Sequence, residues 1–166
     1  MQMRKFLRIT LIVLLIALII IQFFRPQKNA EPEIASNQIE AKYTVPEDVH
    51  KILQVSCYDC HSNTTKYPWY WGVQPAAWFL NNHIQDGKRE LNFSTFSTYP
   101  AWRSYRKFKG IEKEVKSGDM PLFSYTLIHR NAVLNADQKL AIENWVASSI
   151  KEMESTYPAD SLKKKQ

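Results

Sequence analysis

Cysteine is nearly absent from the 166-residue chain: there are two, and they sit three positions apart. That excludes a disulfide-stapled secreted scaffold. Glycine is also scarce, at 4 residues, and proline contributes 8. Neither a collagen-like repeat nor a low-complexity polymer has such a composition. No stretch sustains the alternation of apolar and polar residues that marks a half-buried strand. Acidic residues are missing from the first 25 positions, which carry Arg4, Lys5, Arg8 and Arg25. The overall charge of +6 arises largely there and in Lys163, Lys164 and Lys165. Without residues 1–25 the balance is 18 basic against 16 acidic residues, and without the tail as well it is 15 against 16. The body is therefore close to neutral, and no basic stripe remains to follow a phosphate backbone. A nucleic-acid partner is excluded on this ground.

What is present begins with an apolar run from Ile9 to Phe24, broken only by Thr10 and Gln22. It is apolar all round rather than along one stripe, and as a helix it measures about 24 Å. With Phe6 and Leu7 before it and Arg8 snorkelling, it is expected to cross a bilayer as one transmembrane helix. A cleaved signal peptide would need small residues after the run, and Gln22-Phe23-Phe24-Arg25-Pro26 supplies none. The basic flank at Arg4, Lys5 and Arg8 places the N-terminus in the cytoplasm and residues 26–166 on the periplasmic or extracytoplasmic side. Residues 1–25 are thus read as an anchor in the bacterial cytoplasmic membrane. Residues 26–43, polar and aperiodic, read as a linker that lets the following domain swing.

Both cysteines fall in Cys57-Tyr58-Asp59-Cys60-His61. Two thiols at this spacing, with His directly after, suit covalent attachment of one haem: thioethers to its two vinyl groups and an imidazole on the iron. A structural zinc site would need further ligands at fixed spacing, and no second cysteine pair exists. A thioredoxin-type pair would need a strand before it. The preceding residues instead look helical. Thr44 and Glu47 have capping-box spacing, Pro46 falls in the first turn, and Val49, Ile52 and Leu53 make an apolar face. The motif occurs once, so a multihaem wire is excluded.

A six-coordinate iron needs a second ligand. Met120, in Gly118-Asp119-Met120-Pro121, is the leading candidate, because Gly118 can end a helix and Pro121 stiffens the loop. His129, after an apolar run, is the runner-up. His83 reads as a core histidine, His50 as a surface one, and Met153 as solvent-facing in a charged stretch. Arg89 and Asn92 could bond haem propionates. The aromatics Trp69, Tyr70, Trp71, Trp78 and Trp102 could pack around a porphyrin.

Several stretches together resemble the bacterial haem-binding-domain family, small single-haem modules of c-type cytochrome kind. They are Cys57-Tyr58-Asp59-Cys60-His61-Ser62-Asn63, Trp78 to Ile84, Gly87 to Ser94, Ser117-Gly118-Asp119-Met120-Pro121, Ser124 to His129 and Ile142-Glu143-Asn144-Trp145. The resemblance covers about residues 44–150. It implies thioethers at Cys57 and Cys60, His61 as proximal ligand, and Met120 at the distal methionine position. One departure is Met120-Pro121-Leu122-Phe123, where a second proline is expected.

Helices are also expected from Pro75 to Asp86, with Gly87 just past its end, around Phe108 to Val115, and after an Asn135–Gln138 capping box. The fold class expected is all-α: a cytochrome-c-like helical domain at 44–153 around one haem c, with a polar tail at 154–166. The function expected is electron transfer with His61 and Met120 on the iron and an unidentified redox partner. The alternative is a haem sensor or small-ligand binder with an open or displaceable sixth position. An enzyme ranks behind both: a peroxidase needs an open distal side with a polar acid or base that only His83 or His129 could supply, and the sequence offers no second haem to feed it electrons.

Overall fold

A computed structural model describes residues 2–164; Met1, and Lys165 and Gln166 of the tail, lie outside the described residues. The order is α1 (Gln2–Ile21), α2 (Glu47–Ser56), α3 (Tyr58–His61), α4 (Ala76–Glu90), α5 (Ala101–Ser117), α6 (Phe123–Thr126) and α7 (Ala136–Thr156), with short 3₁₀ turns between them. Among the described residues there is no strand, only an isolated bridge between Ala30 and Thr64. The all-α expectation holds.

The core lies between α2, α5 and α7. Val49 and Leu53 of α2 meet Phe108, Ile111 and Val115 of α5 and Ile142, Trp145, Val146 and Met153 of α7. Spacings of three and four put each set on one helix face. Two aromatics of the Phe93–Thr98 turn, Phe93 and Phe96, close the end of this core. A smaller cluster of Trp71, Ala77, Leu80 and Ile84 lies under α4, with Cys60 packed against it.

The helix ends follow local chemistry, with some shifts from expectation. The capping box at Asn135 and Gln138 is formed in both directions. Helix α5 ends at Gly118 in the left-handed region, φ 78°, as a C-terminal glycine should. Helix α2, however, begins at Glu47 with Pro46 as N-cap, and Thr44 caps nothing. Val45 precedes a proline and is disfavoured in helical conformation, so the helix cannot start there. The Thr44 carbonyl instead accepts the indole N–H of Trp145 at 2.9 Å.

Several sequence expectations are corrected. Met153 is 1% exposed rather than solvent-facing. It lies four residues after Ser149 on the buried face of α7, while its charged neighbours point elsewhere. Leu140, two residues after the capping-box Gln138 of α7, is exposed. The polar stretch 26–43 is not a free linker. Asn29, Ile39 and Tyr43 are buried, and Ile39 and Tyr43 join the main core. The segment 154–166 is likewise not wholly a tail, because Tyr157 and Leu162 pack on the core.

Helix α1 is exposed along almost its whole length and buries no residue. No helix of the described residues is long and apolar enough to cross a membrane. Arg4, Lys5 and Arg8 occupy the first two turns of α1, which leaves residues 9–21, about 20 Å of helix against a hydrocarbon layer of about 30 Å. The expected spanning helix is therefore present as a helix but falls short as a span.

Gly87 lies inside α4 rather than past its end, because α4 continues to Glu90. Its role is close approach. A Cβ there would stand 2.6 Å from the carbonyl oxygen of Cys60. Gly87→Ala is expected to lose about 1–3 kcal/mol of unfolding free energy in urea titration, since backbone rather than a flexible side chain must give way. Gly72→Ala, with nothing within 4 Å of the added carbon, should stay within about 0.5 kcal/mol of the parent.

Candidate cofactor site

The cysteine motif is built on the end of α2. The Cys57 amide still donates to Leu53 of α2 at 2.9 Å, and the Cys57 carbonyl accepts from the amides of Cys60 (3.2 Å) and His61 (3.0 Å). One tight turn, α3, thus presents both thiols and the imidazole from a single short segment. The thiols are unpaired and half-buried. Burial pushes Cys57 up to about 12, with Cys60 adding to it. Burial also raises Cys60 to about 11, with the Asp59 carboxylate adding to it. Both are held as neutral thiols, the opposite of the lowered thiol that a redox-exchange pair needs.

His61 is held by its Nδ1. That nitrogen lies 2.9 Å from the Leu91 carbonyl and 3.0 Å from the Gly87 carbonyl. Since both neighbours are acceptors, Nδ1 carries the proton and donates. Nε2 is left with the lone pair, which is the tautomer a metal-ligating histidine needs. Burial lowers the His61 pKa, and the charge of Lys107 adds to this; the two carbonyls work in the other direction. The ring edge meets Phe93 at 6.4 Å between centroids.

Two adjoining cavities, of about 280 and about 170 Å³, meet at this ring. Cys57, His61, Glu90, Met120 and Pro121 border both. The larger is walled by Leu53, Phe93, Ile111, Val115 and Ile142 from the main core. The smaller adds Cys60, His83, Leu122 and Tyr125. Together they reach the size range of cofactor pockets, with apolar walls and a few polar groups.

Met120 arrives by way of the α5 terminus. Gly118 turns the chain, and the Met120 amide donates back to the Glu114 carbonyl at 3.2 Å. A second tie follows on α6. The Tyr125 hydroxyl donates to Asp59 at 2.7 Å, joining the methionine loop to the middle of the cysteine motif. The other Asp59 oxygen accepts the Lys66 amide at 3.0 Å.

The remaining candidates fall elsewhere. His129 stacks on Tyr125 and meets the Tyr70 hydroxyl through Nε2 at 3.0 Å. It does not line either cavity. His83 stands half-buried on the rim of the smaller cavity, donating from Nδ1 to the Phe79 carbonyl, rather than in the core. His50 is engaged with Glu40 and Gln54 away from the site. Arg89 is 70% exposed and pairs with Asp86. Asn92 is buried, accepting the Ser94 amide and donating to Asn63, so its side chain is used in the fold. Neither lines a cavity. Nor does any of Trp69, Tyr70, Trp71, Trp78 or Trp102.

Lys107 is the residue that sequence reasoning missed. It lines the larger cavity, is 14% exposed and pairs with Glu90 at 3.3 Å. Nothing in its sequence neighbourhood, Arg106-Lys107-Phe108-Lys109, distinguishes it from the cations beside it. A weak signal was Gly110, one turn further along the same helix. A mid-helix glycine costs about 1 kcal/mol relative to alanine. No protein atom explains this one, because a Cβ there would meet nothing within 4 Å. Gly110 lines the larger cavity, where a flat ring could lie against bare backbone.

Two neutral thiols, an imidazole with a free Nε2, a thioether and apolar walls thus converge on one space, and that donor set fits a haem. The profile of the haem-binding domain matches residues 16–148, a range that includes the cysteine motif, Met120 and the segment expected to be a linker. No curated protein matches the chain. No solved structure matches it either. With the greater part of its length matched, the chain belongs to the haem-binding-domain family.

Proposed function

We propose that this protein is a single-haem c-type cytochrome, anchored to a membrane through α1, that passes electrons between partners. The observation that carries the reading is the meeting of Cys57, His61 and Met120 at the junction of two apolar cavities, with Cys60 beside them.

Attachment is redox-neutral at each thiol. The Cys57 and Cys60 thiols would hold the haem covalently, each S–H adding across one vinyl group with sulfur to one carbon and hydrogen to the other. Burial of the thiols keeps the hydrogen on sulfur until that reaction and protects against stray oxidation. His61 offers Nε2 to the iron while the Gly87 and Leu91 carbonyls hold its ring. Met120 offers its sulfur from the opposing loop. Bound there, the haem supplies one-electron chemistry, and a Met/His pair sets its potential above that of other common ligand sets. Lys107, rather than Arg89 or Asn92, stands where a propionate could be paired.

Anchoring is supported by the all-round exposure of the apolar side chains in α1. Arg8 can snorkel toward the headgroups and Phe23 and Phe24 extend the apolar length beyond the helix. The charged first turns favour an N-terminus on the cytoplasmic side.

The test is expression of the full chain with a haem-attachment system. Covalent haem should be retained in denaturing gels and lost when Cys57 and Cys60 are both replaced by Ala; absence of attached haem in the parent would overturn the assignment. The oxidised protein should show the weak far-red band of thioether-ligated haem, and Met120→Ala should lose it and lower the potential. His129→Ala should keep it. A high-spin, five-coordinate parent would point instead to ligand sensing.

Tyr125→Phe removes one hydrogen bond to a carboxylate, which is worth about 1.5 kcal/mol, or about tenfold in an equilibrium. The far-red band should survive. Imidazole should displace the methionine at about tenfold lower concentration, as followed by loss of that band.

A further inference from the structure

Resting on the membrane-anchored reading, we infer that the foot of α1 and the start of α4 form one rigid seat against a phospholipid bilayer, which fixes the tilt of the haem domain and its height above the lipid. The sequence expectation of a swinging tether does not survive the contacts at this junction. Gln22, at the end of α1, accepts the Gln74 amide at 2.9 Å and donates to the Gln74 carbonyl at 3.3 Å. The Gln74 side chain, 1% exposed, donates to the Phe24 carbonyl at 2.8 Å. The same carbonyl accepts the indole N–H of Trp78 at 2.9 Å. Four hydrogen bonds therefore join two residues of the α1 foot, Gln22 and Phe24, to Gln74 just before α4 and Trp78 in its first turn.

The chain has no slack after this junction. Asn29 is already buried, with its amide group bonded to the Ser62 carbonyl and to Thr65 at 2.9 Å each, and Lys88 of α4 donates to its carbonyl oxygen at 2.7 Å. Only residues 25–28 lie between the two fixed points. A hinge would have to break one set of contacts or the other.

The surface around the junction has the chemistry of a membrane interface. Phe23 is 84% and Phe24 63% exposed, and Val73 and Trp78 are exposed beside them. They continue directly from the apolar surface of α1, so whatever solvates α1 also reaches them. An indole that is apolar in body and bonded at its N–H suits the headgroup level. Arg25 and Lys28, with no acidic residue until Glu31, supply cations at the same level for anionic headgroups.

Helix α4 then acts as a ruler. From Trp78 at the seat to Gly87, which lines the smaller cavity and holds His61, the rise is about 14 Å. The His61 end of the site is thus kept about 14 Å from the seat along this axis. Its electron partner must present a redox centre close to the bilayer surface.

The experiment uses the haem-loaded full chain in vesicles of phosphatidylcholine and phosphatidylglycerol. Flotation reports anchoring, and linear dichroism of the Soret band in oriented multibilayers reports orientation. The parent should float and be dichroic. Eight Gly/Ser residues inserted between Ile21 and Gln22 should leave flotation unchanged and remove most of the dichroism, because the seat is then uncoupled from α1. Brominated acyl chains should quench part of the tryptophan emission in the parent, and Trp78→Phe should remove most of that quenchable part. A parent that floats but is isotropic and unquenched overturns the seat alone. Dichroism unchanged by the insertion overturns it too. A parent that stays with the soluble fraction overturns the anchoring reading and the seat with it.

Discussion

The contact on which the site depends is the approach of α4 to the cysteine turn at Gly87. It is a backbone-to-backbone meeting, close enough that a single carbon at Gly87 would collide with the Cys60 carbonyl. The same glycine turns its own carbonyl to His61 Nδ1. Proximity and polarity therefore come from one residue: its missing side chain lets α3 lie against α4, and its carbonyl then fixes the tautomer of the ring that α3 carries. Leu91, which caps α4 one turn later, completes the pair of acceptors; the Gly87 carbonyl accepts the Leu91 amide at 2.8 Å and the His61 ring N–H together. The His61 side of the space is thus held by two carbonyls near the end of α4, and needs no carboxylate to orient the imidazole.

The opposing side is held differently. Met120 stands on a loop, and loops move unless something ties them. Here the tie comes from inside the cysteine motif. Asp59 spends one oxygen on the Lys66 amide, which closes the loop after α3, and the other on Tyr125, which closes the loop after Met120. One carboxylate thereby links both flanks of the space to the turn bearing the thiols. Tyr125 is in turn stacked on His129, and His129 Nε2 is hydrogen-bonded to the Tyr70 hydroxyl. The histidine that looked like a second candidate ligand serves as packing behind the first.

Much of this was readable in advance, and what was missed has common causes. The cysteine motif, the helix before it, Gly118 as a terminator and the Asn135 box all depend on neighbours within a few residues, and sequence shows such neighbours directly. Gly87 was misread as a helix end because its reason is a contact with Cys60, 27 positions away in the chain. Asn92 and Lys107 exchanged roles for the same reason. The polar side chain of Asn92 is consumed by Asn63 and Ser94, while Lys107 is drawn toward the cavity by the helix it stands on. The segment 26–43 was misread because its burial is sparse. A few residues such as Asn29, Ile39 and Tyr43 are enough to fasten it, and they have no period.

The scarcity of glycine in this chain gives three of its four positions weight. Gly118 has the positive φ that other residues avoid, and its place decides where Met120 begins. Gly87 permits the close crossing on the proximal side. Gly110 does neither: its backbone is helical, and no protein atom stands where its side chain would be. A helix of 17 residues gains nothing from a glycine in its middle unless something else must touch that backbone. The surface it leaves bare belongs to the wall of the larger cavity, facing the space that His61 and Met120 share. Three of the four glycines therefore converge on one site from three different physical causes, and the one without a partner in the protein marks where a flat cofactor would supply it.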